Sequence, residues 1–332
     1  MHALVLGGTG SAGRVLIQQL LDGAPPVEVS VVSRTATSLP GASRVIAGHY
    51  GDLAPSPEFR QWLARVDVIV HLADGLSVLQ QPRFAADTAL AGGLLAASER
   101  LAVAACAARV PRLVYVSSIK ALCDEDDARI LAETCLPRGS GLYGRSKLRL
   151  EETLARVLAG SPTRLAVVRN PAMYGPGKAG SVHRLLRLAD TALPLPLGGL
   201  VNRRSLLAVA NFASALTAMV RAGPHAAAGT FHVHDGEVLS TTAIVATMRA
   251  ALGRPRRLFA IGRAAAAAMH IPPLAPVARR LYGSLEVSDA RFRRAFDWTP
   301  AVETNVALAE MAAAHAARLD PDSIRATAFR HG

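Results

Sequence analysis

The feature that most constrains this chain lies near its start. Ala3-Leu4-Val5-Leu6 reads as a strand, Gly7-Gly8-Thr9-Gly10-Ser11-Ala12-Gly13 as a turn, and Val15, Leu16, Leu20 and Leu21 as a helical stripe. Glycines at a strand-to-helix turn let the backbone approach a pyrophosphate, and the helix N-terminus offers it amides and positive dipole. The spacing Gly7-x-x-Gly10-x-x-Gly13 is one residue longer at the front than the common dinucleotide fingerprint. A turn of this kind opens the first βα unit of a doubly wound sheet, and the rest of the chain can be tested for that alternation.

The alternation is there. Val27 to Val32 reads as the second strand and ends Ser33-Arg34-Thr35. A strand in this place normally ends beside the adenosine ribose, where a carboxylate would bind the 2′-hydroxyl. Arginine flanked by two hydroxyls suits a 2′-phosphate instead, so the reading favours NADP(H), with NAD(H) as the alternative. Arg44 to Ala47 follows as a third strand, then Gly48 to Leu53, from which Asp52 can reach the adenine amino group. Val66 to Leu72 is apolar enough to be buried on both faces and ends His71-Leu72-Ala73, with His71 read as a packed residue. A long Ala/Leu helix spans roughly 84–108. The fifth strand, Arg112 to Ser117, delivers Ser117 and Ser118 to its C-terminal edge, where ligands of such sheets bind. Arg164 to Arg169 is a sixth strand.

Strands and helices in this order predict an α/β fold with a doubly wound parallel sheet. From Pro171 the pattern changes: proline and glycine become frequent and strand signals thin out, until Thr230 to His234 returns to the sheet. The expected organisation is a dinucleotide-binding domain over 1–170 with a returning segment at 206–234. A smaller, discontinuous domain would comprise 171–205 and 235–332, its tail forming a small cap.

Composition excludes several classes. The chain has 37 basic and 25 acidic residues and a net charge of +12. Its basic residues are almost all arginines, scattered rather than clustered, which suits phosphate affinity and solubility and not a nucleic-acid footprint. Three cysteines, Cys106, Cys123 and Cys135, lack metal or redox spacing and are odd in number, as in a reducing cytosol. His232 and His234 have no partners at metal spacing, so no metal site is expected. The apolar stretch from Leu258 to Ala278 is broken by Arg263, His270 and three prolines. No transmembrane segment is expected there, nor a signal peptide at the start, and a cytoplasmic protein is the expectation.

The chemistry points to Gly141-Leu142-Tyr143-Gly144-Arg145-Ser146-Lys147. Leu148, Leu150, Leu154 and Val157 follow at helical spacing, so Tyr143 and Lys147 share one helix face. An ammonium there favours phenolate and should pull the tyrosine pKa down from about 10, toward a value useful for proton transfer. The alternative is an exposed pair on a solvated helix.

Taken in order, these pieces resemble the extended short-chain dehydrogenase/reductase family, in particular its nucleotide-sugar epimerases and reductases. The matching segments run nearly end to end: Gly7-x-x-Gly10-x-x-Gly13, Gly51-Asp52-Leu53, His71-Leu72-Ala73, Val116-Ser117-Ser118, Tyr143-x-x-x-Lys147, Arg169-Asn170-Pro171 with Tyr174-Gly175-Pro176-Gly177, and Trp298-Thr299-Pro300. The resemblance implies that Ser118 binds the reacting sugar oxygen, Tyr143 is the acid/base, and Lys147 holds the nicotinamide ribose. It also implies a cofactor lying along Gly7, Gly10, Ser11, Gly13, Arg34, Asp52, Leu53, Leu72 and Ala73, with Asn170, Ala172 and Met173 at its nicotinamide end. Arg204, and Arg280 beside Gly283-Ser284-Leu285, would contact the diphosphate of a nucleotide sugar.

Two departures stand out. Where the family has an asparagine on the long helix, this chain has Leu94 or a neighbour, and the Thr-Asp-Glu signature of the 4,6-dehydratases is absent after Ser118. Position 211 is Asn where Asp is frequent, a structural position. The resemblance leaves two enzymes open: an NADP(H)-dependent 4-keto-sugar reductase of envelope polysaccharide synthesis, acting on a UDP-linked hexose, and a UDP-sugar 4-epimerase that retains NAD. A non-catalytic cofactor-binding regulator is a remote third. A homodimer through 84–108 and 143–159 is also implied.

Overall fold

The computed structural model describes residues 1–34, 38–124, 129–138, 141–261 and 275–319. Thr35, and Arg263 and His270 of the late apolar stretch, lie outside them. Seven parallel strands form the main sheet: β1 (His2–Leu6), β2 (Glu28–Ser33), β3 (Arg44–Ala47), β4 (Val68–His71), β5 (Arg112–Ser118), β7 (Arg164–Asn170) and β10 (Gly229–His232). Their order is β10-β7-β5-β4-β1-β2-β3. The direction of winding reverses between β1 and β4, and their C-terminal ends open the crevice in which such sheets bind ligands.

The sequence dictates these strands directly. Leu4, Val5, Val29, Val31, Ile69, Val70, Leu113 and Val114 are fully buried, because helices cover both sheet faces. On one face lie α1 (Ser11–Asp22), which buries Gly13, Leu16, Ile17 and Leu20 at helical spacing, and α7 (Val209–Arg221), which adds Phe212, Leu216 and Met219. The other face carries α2 (Tyr50–Leu53), α3 (Pro57–Leu63), α4 (Thr88–Ala107) and α5 (Leu142–Leu158), joined through Leu63, Leu101, Ala105, Leu150 and Leu154. Among the described residues α4 alone is long and apolar enough to cross a bilayer, and it spends Leu101, Ala102, Ala104 and Ala105 on this core.

Beyond β7 the chain crosses one proline into β8 (Ala172–Tyr174), which leaves the main sheet. It pairs in parallel with β9 (Arg204–Ala208), and β11 (Val238–Leu239) completes a three-stranded sheet. This sheet packs with α6 (Ser181–Ala189), α8 (Thr241–Ala251) and the helix Thr304–Leu319 around Leu186, Leu206, Met248 and Leu308. A two-residue strand, β6 (Ile130–Leu131), pairs with Glu286–Val287. These short strands were not visible in the sequence, where proline and glycine dominate the region.

The tail differs from the expected cap. The helix Ala290–Phe296 buries Phe292 in the main core, edge-on to Phe231 of β10 at 6.1 Å and to Trp298 at 5.4 Å. An aromatic cluster outcompetes a peripheral position because each ring removes a large apolar area from water.

Asn211 is fully buried and structural. It donates to Asp235 Oδ1 and the Val302 carbonyl, both at 2.8 Å, and accepts from the Val302 amide. Tyr174 and the Ala208 amide also donate to Asp235, so an aspartate at 211 would face a second carboxylate. Two arginines serve as buried helix ends: Arg112 donates to the Met219 and Gly223 carbonyls at the end of α7, and Arg249 to Ala189 at the end of α6. His232 is buried, its Nδ1 3.1 Å from the Leu131 carbonyl. Burial, and secondarily Arg169, depress its pKa to about 3. No cluster of metal-ligating side chains occurs among the described residues.

Candidate active site

A cleft of about 2050 Å³ runs along the C-terminal edge of the main sheet and under the small sheet. Sites for one drug-sized ligand reach roughly 1000 Å³, so this cleft has room for two extended ligands. It begins at the glycine turn. Gly7 has φ +90°, and a Cβ there would lie 2.9 Å from Ala73 Cβ. A Cβ on Gly13 would lie 2.2 Å from the Gly7 carbonyl oxygen, so that glycine lets α1 pack onto the turn. Gly10 N-caps α1 without a side-chain hydrogen bond. The first amides of α1 are thus left to an anion, and the turn fits the pyrophosphate of a dinucleotide.

Gly7, Gly10, Arg34, Leu72 and Ala73 line the cleft at this end, with Arg34 exposed at the close of β2. Ser11, Gly13, Asp52 and Leu53 do not line it. Tyr50 and Gly51 are the buried residues of α2, and Gly51 packs so closely on α4 that a Cβ would meet Ala97 at 2.6 Å. That packing turns Asp52 outward to solvent, and His49 and Tyr50 form the wall instead. His71 is buried beneath, with Nε2 3.0 Å from Ser98 Oγ and Nδ1 unpartnered. Burial, which Asp74 opposes, depresses its pKa to about 4, so it is a neutral packed residue.

At the centre, β5 delivers Ser118 and α5 delivers Tyr143 and Lys147. The Tyr143 phenol is hydrogen-bonded with the Ser118 side chain, and the Lys147 ammonium sits 5.9 Å from the Tyr143 ring centroid. Asn170, Ala172 and Met173 continue the wall, and Asn170 is in register with Ser118 across the β5–β7 pair.

Lys147 does not stand alone. Its Nζ donates to Asp74 Oδ2 at 2.5 Å and to the Val116 carbonyl at 2.9 Å, and both side chains are buried. Asp74 also accepts from Tyr115 Oη at 2.7 Å and from the Leu76 amide at 3.0 Å. Burial, the largest influence, would raise the Asp74 carboxyl, but Lys147, His71 and the Tyr115 hydrogen bond together hold the pKa below the usual value. Burial would likewise lower Lys147, and Asp74 instead raises it. Burial, with this pair, corrects the expectation for Tyr143. Its phenol is raised, first by burial; Lys147 and Ser118 pull down, Asp74 pushes up again, and the balance lies above the ordinary value.

Asp74 follows directly on His71-Leu72-Ala73 and is not among the residues expected from the sequence, although a carboxylate directly after an apolar strand, at the ligand edge of a sheet, is itself a signal. Glu151, one turn beyond Lys147, is a second functional side chain absent from the expected set. It accepts from Ser117 Oγ and, bidentately, from Arg169, at 3.0 Å to Oε1 and 2.5 Å to Oε2. This second buried ion pair fastens β5 and β7 to the helix that carries Tyr143.

At the far end the cleft turns cationic. Lys178, Arg184, Arg204, Arg279 and Arg280 line it, while the lining carboxylates among the described residues are Asp74 and Asp124. Arg204 donates to the Gly283 carbonyl at 3.0 Å, which places it and Arg280 on one wall. Burial lowers the pKa of Lys178. Leu94, at or near the position of the missing asparagine, lines the cleft beside Gly75 and supplies no polar group.

Comparison with known proteins agrees with this architecture. The chain is 27% identical over 259 residues to UDP-glucose 4-epimerase of Vibrio cholerae, covering 76% of each chain. Among solved structures it is similar to UDP-glucose 4-epimerase of Thermotoga maritima with UDP-glucose: TM-score 0.72, 16% identity, 96% of this chain and 100% of that one. It is also similar to the Bordetella bronchiseptica enzyme WbmG in complex with NAD and UDP: TM-score 0.67, 19% identity, 94% and 93%. The sequence profile of the NAD dependent epimerase/dehydratase family matches residues 3–233, and the chain belongs to that family.

Proposed function

We propose that the protein is an NAD(P)-dependent oxidoreductase acting at C4 of a nucleotide-activated, UDP-linked hexose, and that it works as a 4-keto-sugar reductase of envelope polysaccharide synthesis. One observation carries the reading: a phenol hydrogen-bonded to a serine hydroxyl, one helical turn from a buried lysine, in a cleft that begins at a pyrophosphate-sized glycine turn. A nicotinamide nucleotide bound along that edge supplies or accepts the hydride. The protein handles the proton and the geometry. Ser118 and Tyr143 bind the sugar oxygen, Tyr143 passes its proton, and Lys147 orders the ribose with the one N–H that Asp74 and Val116 leave unused. The cationic end, with Arg204 and Arg280, receives the diphosphate through forked donors.

In this reading residues 1–170 and 206–234 hold the cofactor and residues 171–205 and 235–332 hold the nucleotide sugar, apart from Phe292, Phe296 and Trp298, which pack into the main core. Arg34 at the end of β2, with no carboxylate beside it on the cleft wall among the described residues, supports NADP(H). A homodimer through α4 and α5 and a cytoplasmic location complete the proposal.

The similarity to the Vibrio cholerae 4-epimerase over three-quarters of the chain favours a second reading, a UDP-sugar 4-epimerase with retained NAD. Incubation with UDP-linked 4-keto and 4-hydroxy sugars and free NADPH separates the two. Stoichiometric NADPH consumption marks the reductase, and interconversion without net consumption marks the epimerase. Tyr143→Phe is expected to lower turnover by about 10²–10⁴-fold while sparing cofactor binding. Near-normal turnover in that variant would remove Tyr143 from the mechanism.

A further inference from the structure

We propose that Asp74 is a positioning residue that anchors Lys147 and, by pairing its charge, adds to the burial that keeps Tyr143 a protonated phenol, an acid toward a bound ketone. The inference rests on the roles given above to Tyr143 and Lys147. Its geometry is independent of them.

Asp74 lies on the turn after β4, next to Leu72 and Ala73 on the cleft wall, and is 4% exposed. It joins three elements: its own turn through the Leu76 amide, β5 through Tyr115, and α5 through Lys147. An ammonium has three donors. Asp74 and Val116 fix two, so the third direction of Lys147 is set by the fold rather than by a ligand.

The electrostatic consequence follows from the company around the phenol. Lys147 and Glu151 face this centre from α5, Asp74 from the turn after β4, and Ser118 and Tyr115 from β5. Glu151 is neutralised by Arg169 of β7, and His71 of β4 is neutral beside Asp74. Lys147 pulls on the Tyr143 proton, and burial opposes that pull. Paired at 2.5 Å with a carboxylate, the lysine presents a dipole, whose effect falls off faster than that of a charge. A phenol that keeps its proton suits reduction. The ketone carbon gains hydride from a reduced nicotinamide nucleotide, its oxygen gains the Tyr143 proton, and solvent restores that proton.

The test is a ¹³Cζ-tyrosine NMR titration of the intact protein, with the Tyr143 resonance assigned from Tyr143→Phe. In the parent protein this resonance should titrate above the ordinary value of about 10; titration below it overturns the proposal. In Asp74→Asn it should move down by about one pH unit or more, and the alkaline limb of kcat/KM for ketone reduction should move with it. A uniform loss of kcat/KM with the limb and the resonance unmoved would mean that Asp74 is structural only, and the proposal fails. Should Asp74→Asn not fold, Asp74→Ser takes its place, and a Tyr143 resonance unmoved in it overturns the proposal. Full activity in Tyr143→Phe defeats the functional reading instead, whatever the titration gives.

Discussion

Tyr143 and Lys147 were legible as residues because four positions on a helix make one face. What their chemistry would be was not legible. The expected depression of the phenol assumed a bare, solvated ammonium, whereas burial raises the phenol and Asp74 works against the lysine's pull. Asp74 belongs to no spacing rule; it meets Lys147 only because β4 lies beside β5 in the folded sheet. Asp52, expected to reach the adenine, lies on the solvent side of α2, because Tyr50 and Gly51 take its buried face. At this scale the cofactor choice is also testable. Arg34→Ala should weaken NADPH binding by about 1.5–3 kcal/mol, the worth of a hydrogen bond to a charged group, and leave NADH nearly unchanged. Dissociation constants from fluorescence quenching would read this, and a parent protein that prefers NADH would count against the NADP(H) reading.

Helices and strands of the sheet were legible as elements because each buried strand is an unbroken apolar run bounded by turn residues. The small sheet was not. β6, β8, β11 and Glu286–Val287 are two or three residues long, too short for any period to show, and are held by partners distant in sequence. The tail helix Ala290–Phe296, expected in a small cap, departs for a related reason: it is seven residues long, and its one fully buried ring decides its place. Phe292→Ala should therefore destabilise the main domain by about 3–5 kcal/mol, as an emptied aromatic site in a packed core. Urea unfolding followed by tryptophan fluorescence is the measurement, with Trp298 in contact with the lost ring. A change below about 1 kcal/mol, the ordinary cost of a point substitution, would show that the tail is peripheral after all.

For the whole molecule, pH enters through rings that the cleft does not use. His71 and His232 are fully buried, with pKa values of about 4 and about 3. Both are neutral in the folded protein, whereas in the unfolded chain each takes up a proton below about pH 6.5. Their contribution is therefore intact above that pH and is lost as pH falls toward 4. The slope is about 1.4 kcal/mol per pH unit for each ring. Unfolding free energies measured at intervals from pH 7 to 4.5 should fall accordingly, and His232→Asn should remove about half of this slope. The net charge of +12 also looks different at this scale. Some arginines close helix ends in the interior, as Arg112 and Arg249 do, while others gather at one end of the cleft.

The passage from β7 to β8 has a consequence for how such a chain can diverge. Asn170 sits in register with Ser118 in the large sheet, and Ala172 is already in register with Leu206 in the small one. Between them is Pro171 alone, so there is no slack. A residue gained or lost here would slip one sheet against the other and drag the cleft wall past the reacting serine. Insertions and deletions should therefore be purged at 170–172 and accumulate in the exposed loops beyond, such as the one holding Leu193 and Val201. Descendants of this gene are free to change what they recognise while inheriting unaltered the place where the proton moves.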